Sequence, residues 1–79
     1  MVNRKSCKTD AVLGALIRQR RKVRGLSQQA LAISLGISFQ QVQKYERGVN
    51  RMSVAMFLKT ARLLGTEPSA LLQEVDRRL

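Results

Sequence analysis

Apolar residues recur along this chain in short bursts at three- and four-residue spacing, and glycines punctuate the bursts. The period is helical, because side chains three and four apart share one face of an α-helix. Leu13, Leu16, Ile17 and Val23 form the first stripe. It predicts a helix that opens with Thr9 as cap, carries Asp10 in the first turn where the dipole favours a carboxylate, and stops at Gly25. Leu31, Ala32 and Leu35 form the second stripe, on a helix capped by Ser27, opened by Gln28 and Gln29 and stopped by Gly36. Val42 and Tyr45 mark a third helix, from about Phe39 to Arg47, ended by Gly48. Ser53 caps a fourth, with Val54, Phe57, Leu58, Ala61 and Leu64 as its stripe and Gly65 as its stop. Pro68 suits the first turn of a fifth, where its missing N–H is not needed, and Leu71, Leu72, Val75 and Leu79 line one side of it. Strand periodicity, repeats and low-complexity segments are lacking. The expected fold class is therefore all-α with five helices, residues 9–79 forming one domain and the polar, basic residues 1–8 a flexible arm.

Residues 28–47, QQALAISLGISFQQVQKYER, are the most informative stretch. Two short helices meet there with only Gly36 and its neighbours between them. Glycine takes the positive φ of a sharp turn without a Cβ penalty. Ala32 is small where the helices are expected to cross closely, Ile37 supplies an apolar plug, and Ser38 can cap the second helix. This is the pattern of a helix-turn-helix, whose second helix enters the DNA major groove. An antiparallel hairpin in a small bundle would need the same apolar set, but would more often mix Glu and Lys on its outer face. Here Gln40, Gln43, Lys44 and Arg47 are left outside.

Charge strengthens that reading. Fifteen Lys and Arg against five Asp and Glu give a net charge of +10 on 79 residues. No acid occurs between Asp10 and Glu46, while Arg18, Arg20, Arg21, Lys22, Arg24 and Lys44 do. Such a surface attracts a polyanion and binds its phosphates by releasing counterions. A membrane binder would want a basic amphipathic helix with bulky apolar anchors, and RNA modules usually offer exposed aromatics for stacking. The basic segment instead adjoins a compact helical pair, so double-stranded DNA is favoured. The lone Cys7 allows no internal disulfide, which suits a reducing cytoplasm, and the absence of histidine excludes a zinc finger. The run AVLGALI after the basic N-terminus is too short for a signal sequence and ends in Arg18. Catalysis finds no foothold, since histidine, paired apolar carboxylates and a phosphate-binding glycine loop are all missing. An enzyme, a cofactor, a metal and a small-molecule ligand are not expected.

On a helical wheel, Val42 and Tyr45 point inward and Gln40 and Arg47 lie opposite, flanked by Gln43 and Lys44. Amide side chains pair bidentately with adenine, and Lys44 can donate to guanine O6 and N7. Phe39, at the edge, either packs on a thymine methyl or covers the rim of the core. Base readers are therefore sought at Phe39, Gln40, Gln43 and Lys44. Phosphate contacts are sought at Gln28, Ser38, Arg47, Asn50 and Arg51. Arg21 lies along an apolar stripe and Glu46 beside an inward face, so an internal Arg21–Glu46 ion pair would resolve both oddities.

With these residues in view, the chain resembles the Cro/repressor-type helix-turn-helix proteins of phages and bacteria, the Xre family. The matching segments are IRQRRKVRGLSQQALAISLGIS, QQVQKYERGVNR and LLGTEPSALL, between about Leu13 and Leu72. The resemblance implies a lambda-repressor-like five-helix fold, phosphate binding by Gln28, the Arg21–Glu46 pair, base reading by Gln40 and Lys44, and backbone approach by Asn50 and Arg51. Some phage repressors have glutamine where this chain has Phe39. That glutamine reads a base and braces the phosphate-binding glutamine, so no operator sequence carries over. Members usually bind as homodimers on half-sites about one helical turn, roughly 34 Å, apart. Leu72, Val75 and Leu79 on the fifth helix are candidates for the dimer interface or for the chain's own core; Leu71 is expected in the core. The functional expectation is a cytoplasmic, nucleoid-associated, sequence-specific transcriptional regulator of the repressor type. The alternative is an antitoxin or coactivator-like module acting mainly through a protein partner.

Overall fold

The computed structural model describes residues 8–79. The helices are α1 (Lys8–Val23), α2 (Gln28–Leu35), α3 (Phe39–Glu46), α4 (Val54–Leu63) and α5 (Pro68–Arg77). Serine hydroxyls open three of them. Ser27, Ser38 and Ser53 each accept from the backbone N–H three residues on, at 3.0, 3.0 and 3.1 Å. Each such cap contributes about 1 kcal/mol. α5 instead starts on Pro68, and Glu67 before it makes no side-chain cap.

The ends of α1 to α4 share one device, clearest between α2 and α3. Gly36 adopts φ 71°, and the Ile37 N–H donates back to Ala32 C=O at 3.0 Å. This six-residue closure satisfies carbonyls the helix would leave open. It also turns Ile37 inward against the core and places Ser38 as the next cap, so one glycine sets the angle between the two helices.

Two apolar clusters hold the helices together. Ile17, Leu31, Ala32, Leu35, Val42 and Leu64 join α1, α2 and α3 to the end of α4. Leu16, Ala61, Leu71 and Val75 join α1, α4 and α5, and Leu13 packs against both clusters. α1 is thus the shared wall, with neighbouring Leu16 and Ile17 serving different clusters. Burying a leucine side chain contributes roughly 2 kcal/mol, so the core rests on aliphatic packing. Lys59 adds a polar tie, its ammonium donating to Leu35 C=O at the end of α2.

Several expectations change. Thr9 is the second residue of α1, not its cap, and Lys8 belongs to the helix, not to an arm. The rest of the expected arm, 1–7, lies outside the described residues. Val23 is 79% exposed. Seven residues beyond Leu16 it returns almost to the same face, but it is the last residue of α1 and joins neither apolar cluster. Arg21 occupies the inward position and Leu26 folds in from the turn. Val54, on the first residue of α4, is exposed, and Leu79 lies beyond the end of α5.

Ala32 is buried in the core, as expected of a small residue between α2 and α3. A further close approach, not expected from the sequence, is that of Gly14 on α1 to α3. A Cβ there would sit 2.3 Å from Tyr45 C=O and 2.6 Å from Glu46 C=O. Alanine normally gains about 0.5–1 kcal/mol over glycine within a helix. The overlap with α3 backbone outweighs that gain, since overpacking costs about 1–3 kcal/mol. Gly14→Ala is therefore expected to lower stability in urea unfolding by that order, and a stabilised variant would contradict the close crossing.

Candidate nucleic-acid interface

α3 is short, about 12 Å at 1.5 Å per residue, and its two sides differ sharply. Val42 and Glu46 are buried and Tyr45 is half-buried, whereas Gln40, Lys44 and, just past the helix, Arg47 are exposed. Gln43 is half-buried, and Phe39 is 39% exposed on the first turn. The outward group thus holds two amides, an ammonium and a guanidinium beside an aromatic edge. Their chemistry matches major-groove base edges, which present paired acceptors on guanine and an acceptor–donor pair on adenine.

Behind this face lies a buried polar network. Arg21 Nε donates to Glu46 Oε2 at 2.6 Å, and Arg21 Nη2 donates to Glu46 Oε1 at 3.0 Å. Arg21 Nη1 donates to Leu26 C=O at 2.8 Å, in the turn after α1. The side chains of Arg21 and Glu46 are only 8% and 2% exposed. The bidentate geometry and the extra carbonyl offset the cost of taking both charges out of water. Through Leu26, Arg21 and Glu46, the pair clamps α3 to α1.

Gln28 joins the same network. Its side-chain amide donates to Glu46 Oε1 at 3.0 Å from the first residue of α2. An amide nitrogen carries two N–H groups, and this bond uses one. The other remains available to donate, with Glu46 fixing where the group stands. Phe39 cannot brace Gln28 through a hydrogen bond; the carboxylate behind it does.

The remaining sequence-derived candidates occupy the margins. Ser38 Oγ accepts from Gln41 N–H, so its own proton is free to be donated elsewhere. Asn50 is half-buried and donates through Nδ2 to Gln41 Oε1 at 3.2 Å. Gln41 was not legible as a site residue, since an amide in the first turn of a helix carries no pattern that names its partner. Arg51 Nε lies 3.2 Å from Asp10 Oδ2, with the arginine side chain 70% exposed. The Asp10 side chain is only 12% exposed, so a phosphate contact by Arg51 competes with this pair.

The proposed contact face on α5 splits. Val75 is buried in the second apolar cluster with Leu71, so it is core and not an interface residue. Side chains four apart on α5 return to the inward face, and Leu71 and Val75 have that spacing. Leu72 and Leu79 are 58% and 52% exposed. Among the described residues, no helix is long and apolar enough to cross a membrane.

Comparison with known proteins gives a consistent family. A family model described as "Helix-turn-helix domain" matches residues 12–75. An uncharacterized HTH-type transcriptional regulator of Sinorhizobium fredii is 42% identical over 96% of this chain and 53% of its own length. The restriction-modification controller protein C.AhdI of Aeromonas hydrophila has a TM-score of 0.72 and 36% identity, over 77% of this chain and 92% of that one. SinR, described as the master regulator for biofilm formation and solved in complex with DNA, has a TM-score of 0.69 and 28% identity. That match covers 76% of this chain and 97% of SinR's. The chain spans about half the length of curated relatives such as the Sinorhizobium regulator.

The buried pair yields a direct test. Glu46→Ala leaves Arg21 charged and unmatched, and is expected to cost about 3–5 kcal/mol in denaturant unfolding. Arg21→Met with Glu46→Leu removes both charges and is expected to recover most of that loss. A double variant no more stable than Glu46→Ala would mean that packing around α3, not charge burial, sets the cost.

Proposed function

The chain belongs to the helix-turn-helix domain family, in its Xre type, and we propose that it is a sequence-specific double-stranded-DNA-binding transcriptional regulator. The observation that carries this reading is the division of α3. One side is locked to α1 and α2 by the Arg21–Glu46–Gln28 network, while Gln40 and Lys44 stand in solvent on the other. A major groove accepts one helix, and a helix so clamped presents its outer side chains without a further cost of ordering its backbone. The DNA complex of the similar protein SinR supports the same assignment.

In this reading Gln40, Gln43 and Lys44 read base edges, and Phe39 packs at the margin against thymine or the core rim. Gln28, Ser38, Arg47, Asn50 and Arg51 hold the backbone. The DNA-binding domain is the α1–α5 unit, residues 9–79, around the 28–47 motif. The regulator is of the repressor type and acts as a homodimer on an inverted-repeat operator, and the exposed Leu72 and Leu79 are the apolar groups offered to a second copy. No catalytic step is assigned to the chain.

Selection from random duplex DNA at about 150 mM salt, with mass measured in solution, tests the whole reading. The expected outcome is an enriched inverted repeat with half-sites about one helical turn apart, bound by a dimer. Absence of enrichment would move the function to a protein partner, as in an antitoxin or coactivator-like module. Within the site, Lys44→Ala should relax preference at one base position and cost about 1–3 kcal/mol on the best sequence. Arg51→Ala should weaken all duplexes evenly and flatten the salt dependence by about one unit. Uniform loss in both variants would defeat the separation of base readers from phosphate contacts.

A further inference from the structure

A second basic edge lies outside the helix-turn-helix, on α1. Arg18 and Lys22 are four residues apart, which puts them together on one helix face. With Arg47 at the end of α3 they line an open groove that also takes in Gln28, Gln43 and Glu46. All three cations are exposed. Of the five acidic residues in the chain, only Glu46 lines this groove. Its oxygens already accept from Arg21 and Gln28, so its charge is answered from behind. The groove therefore carries three cations without an unpaired carboxylate and is built to take an anion.

The shape says which anion. Gln43 lies on α3 and Arg47 caps its end, so the groove continues directly from the face assigned to base reading. A helix in the major groove has a phosphate strand on each side, and groups flanking it meet those strands. We propose that Arg18 and Lys22 on α1 form, with Arg47, a phosphate clamp for the DNA strand that flanks the recognition helix. This rests on the DNA-binding reading above and extends it to a helix outside the motif. The clamp holds one or two phosphates of the backbone and adds affinity without sequence preference. It also sets how far α3 tilts in the groove, because α1 and α3 are joined rigidly through Arg21 and Glu46.

The test compares two charge-matched double variants on the selected operator and on a scrambled duplex. Arg18→Gln with Lys22→Gln should lower affinity for both roughly five- to tenfold and flatten the salt slope by roughly one to two units. The preferred sequence should stay the same. Arg62→Gln with Arg77→Gln removes the same charge from α4 and α5, away from the groove, and should leave the slope nearly unchanged. All four side chains are exposed, and thermal melts establish that both variants fold like the parent. Equal losses in the two doubles would reduce the effect to net charge and overturn the clamp. So would unchanged binding by the α1 variant while Lys44→Ala still loses base preference, and the DNA-binding reading would then survive. If the parent protein selects no sequence and Lys44→Ala changes nothing, both readings fall together.

Discussion

The Arg21–Glu46 pair is the constraint on which the rest of the structure depends. α3 has only eight residues and spans little more than two turns, too short to be stable alone in water. One of its faces must remain bare to meet a ligand, so it cannot be secured by apolar contacts all round. Val42 anchors its middle and Gly14 lets α1 approach its last turn, but the bidentate bond to Arg21 fixes its orientation. A salt bridge so buried adds little net stability. Its value here is positional, since the guanidinium fork accepts Glu46 in one geometry and passes that geometry to the Leu26 turn and to Gln28.

That arrangement gives the protein a rigidly held helix face with more adjustable edges. Gln28 is held from behind at the first residue of α2, and Asn50 is held by Gln41. Arg51 pairs with the largely buried carboxylate of Asp10. The groups assigned to phosphate are thus restrained in proportion to their burial, which lowers the ordering cost of contact. The groups assigned to bases, Gln40 and Lys44, stand free on the fixed helix. Charge follows the same plan, with the cations of α1 and α3 around the candidate interface and Glu67, Glu74 and Asp76 gathered near or on α5.

Much of this was legible along the chain because local chemistry dictates it. Ser27, Ser38 and Ser53 cap helices wherever they precede an apolar stripe, and Gly36 turns the chain wherever it follows one. Arg21 and Glu46 drew attention as charges on faces that ought to be apolar, and burial forced them to meet. The misreadings also have local causes. Val23 shares a face with Leu16 but ends α1 and joins neither apolar cluster. Val75, left open between a partner and the core, goes to the core because its four-residue spacing puts it beside Leu71. The opening of α1 at Lys8 escaped notice because Thr9 and Asp10 are themselves good N-terminal residues.

By itself, then, the sequence determined which segments are helices, where they stop, most of each apolar stripe and which side of α3 is polar. Those properties depend on backbone conformation and on side chains a few residues apart. Only the tertiary structure decided that α1 passes α3 so closely at Gly14 that no side chain fits there. It also decided that Glu46 braces Gln28, that Asn50 rests on Gln41, and that Arg18 and Lys22 share a groove with Arg47. These outcomes join residues up to thirty-two positions apart, as Gly14 and Glu46 are. They depend on the angles at which helices cross, and those angles emerge only when every apolar stripe is buried at once.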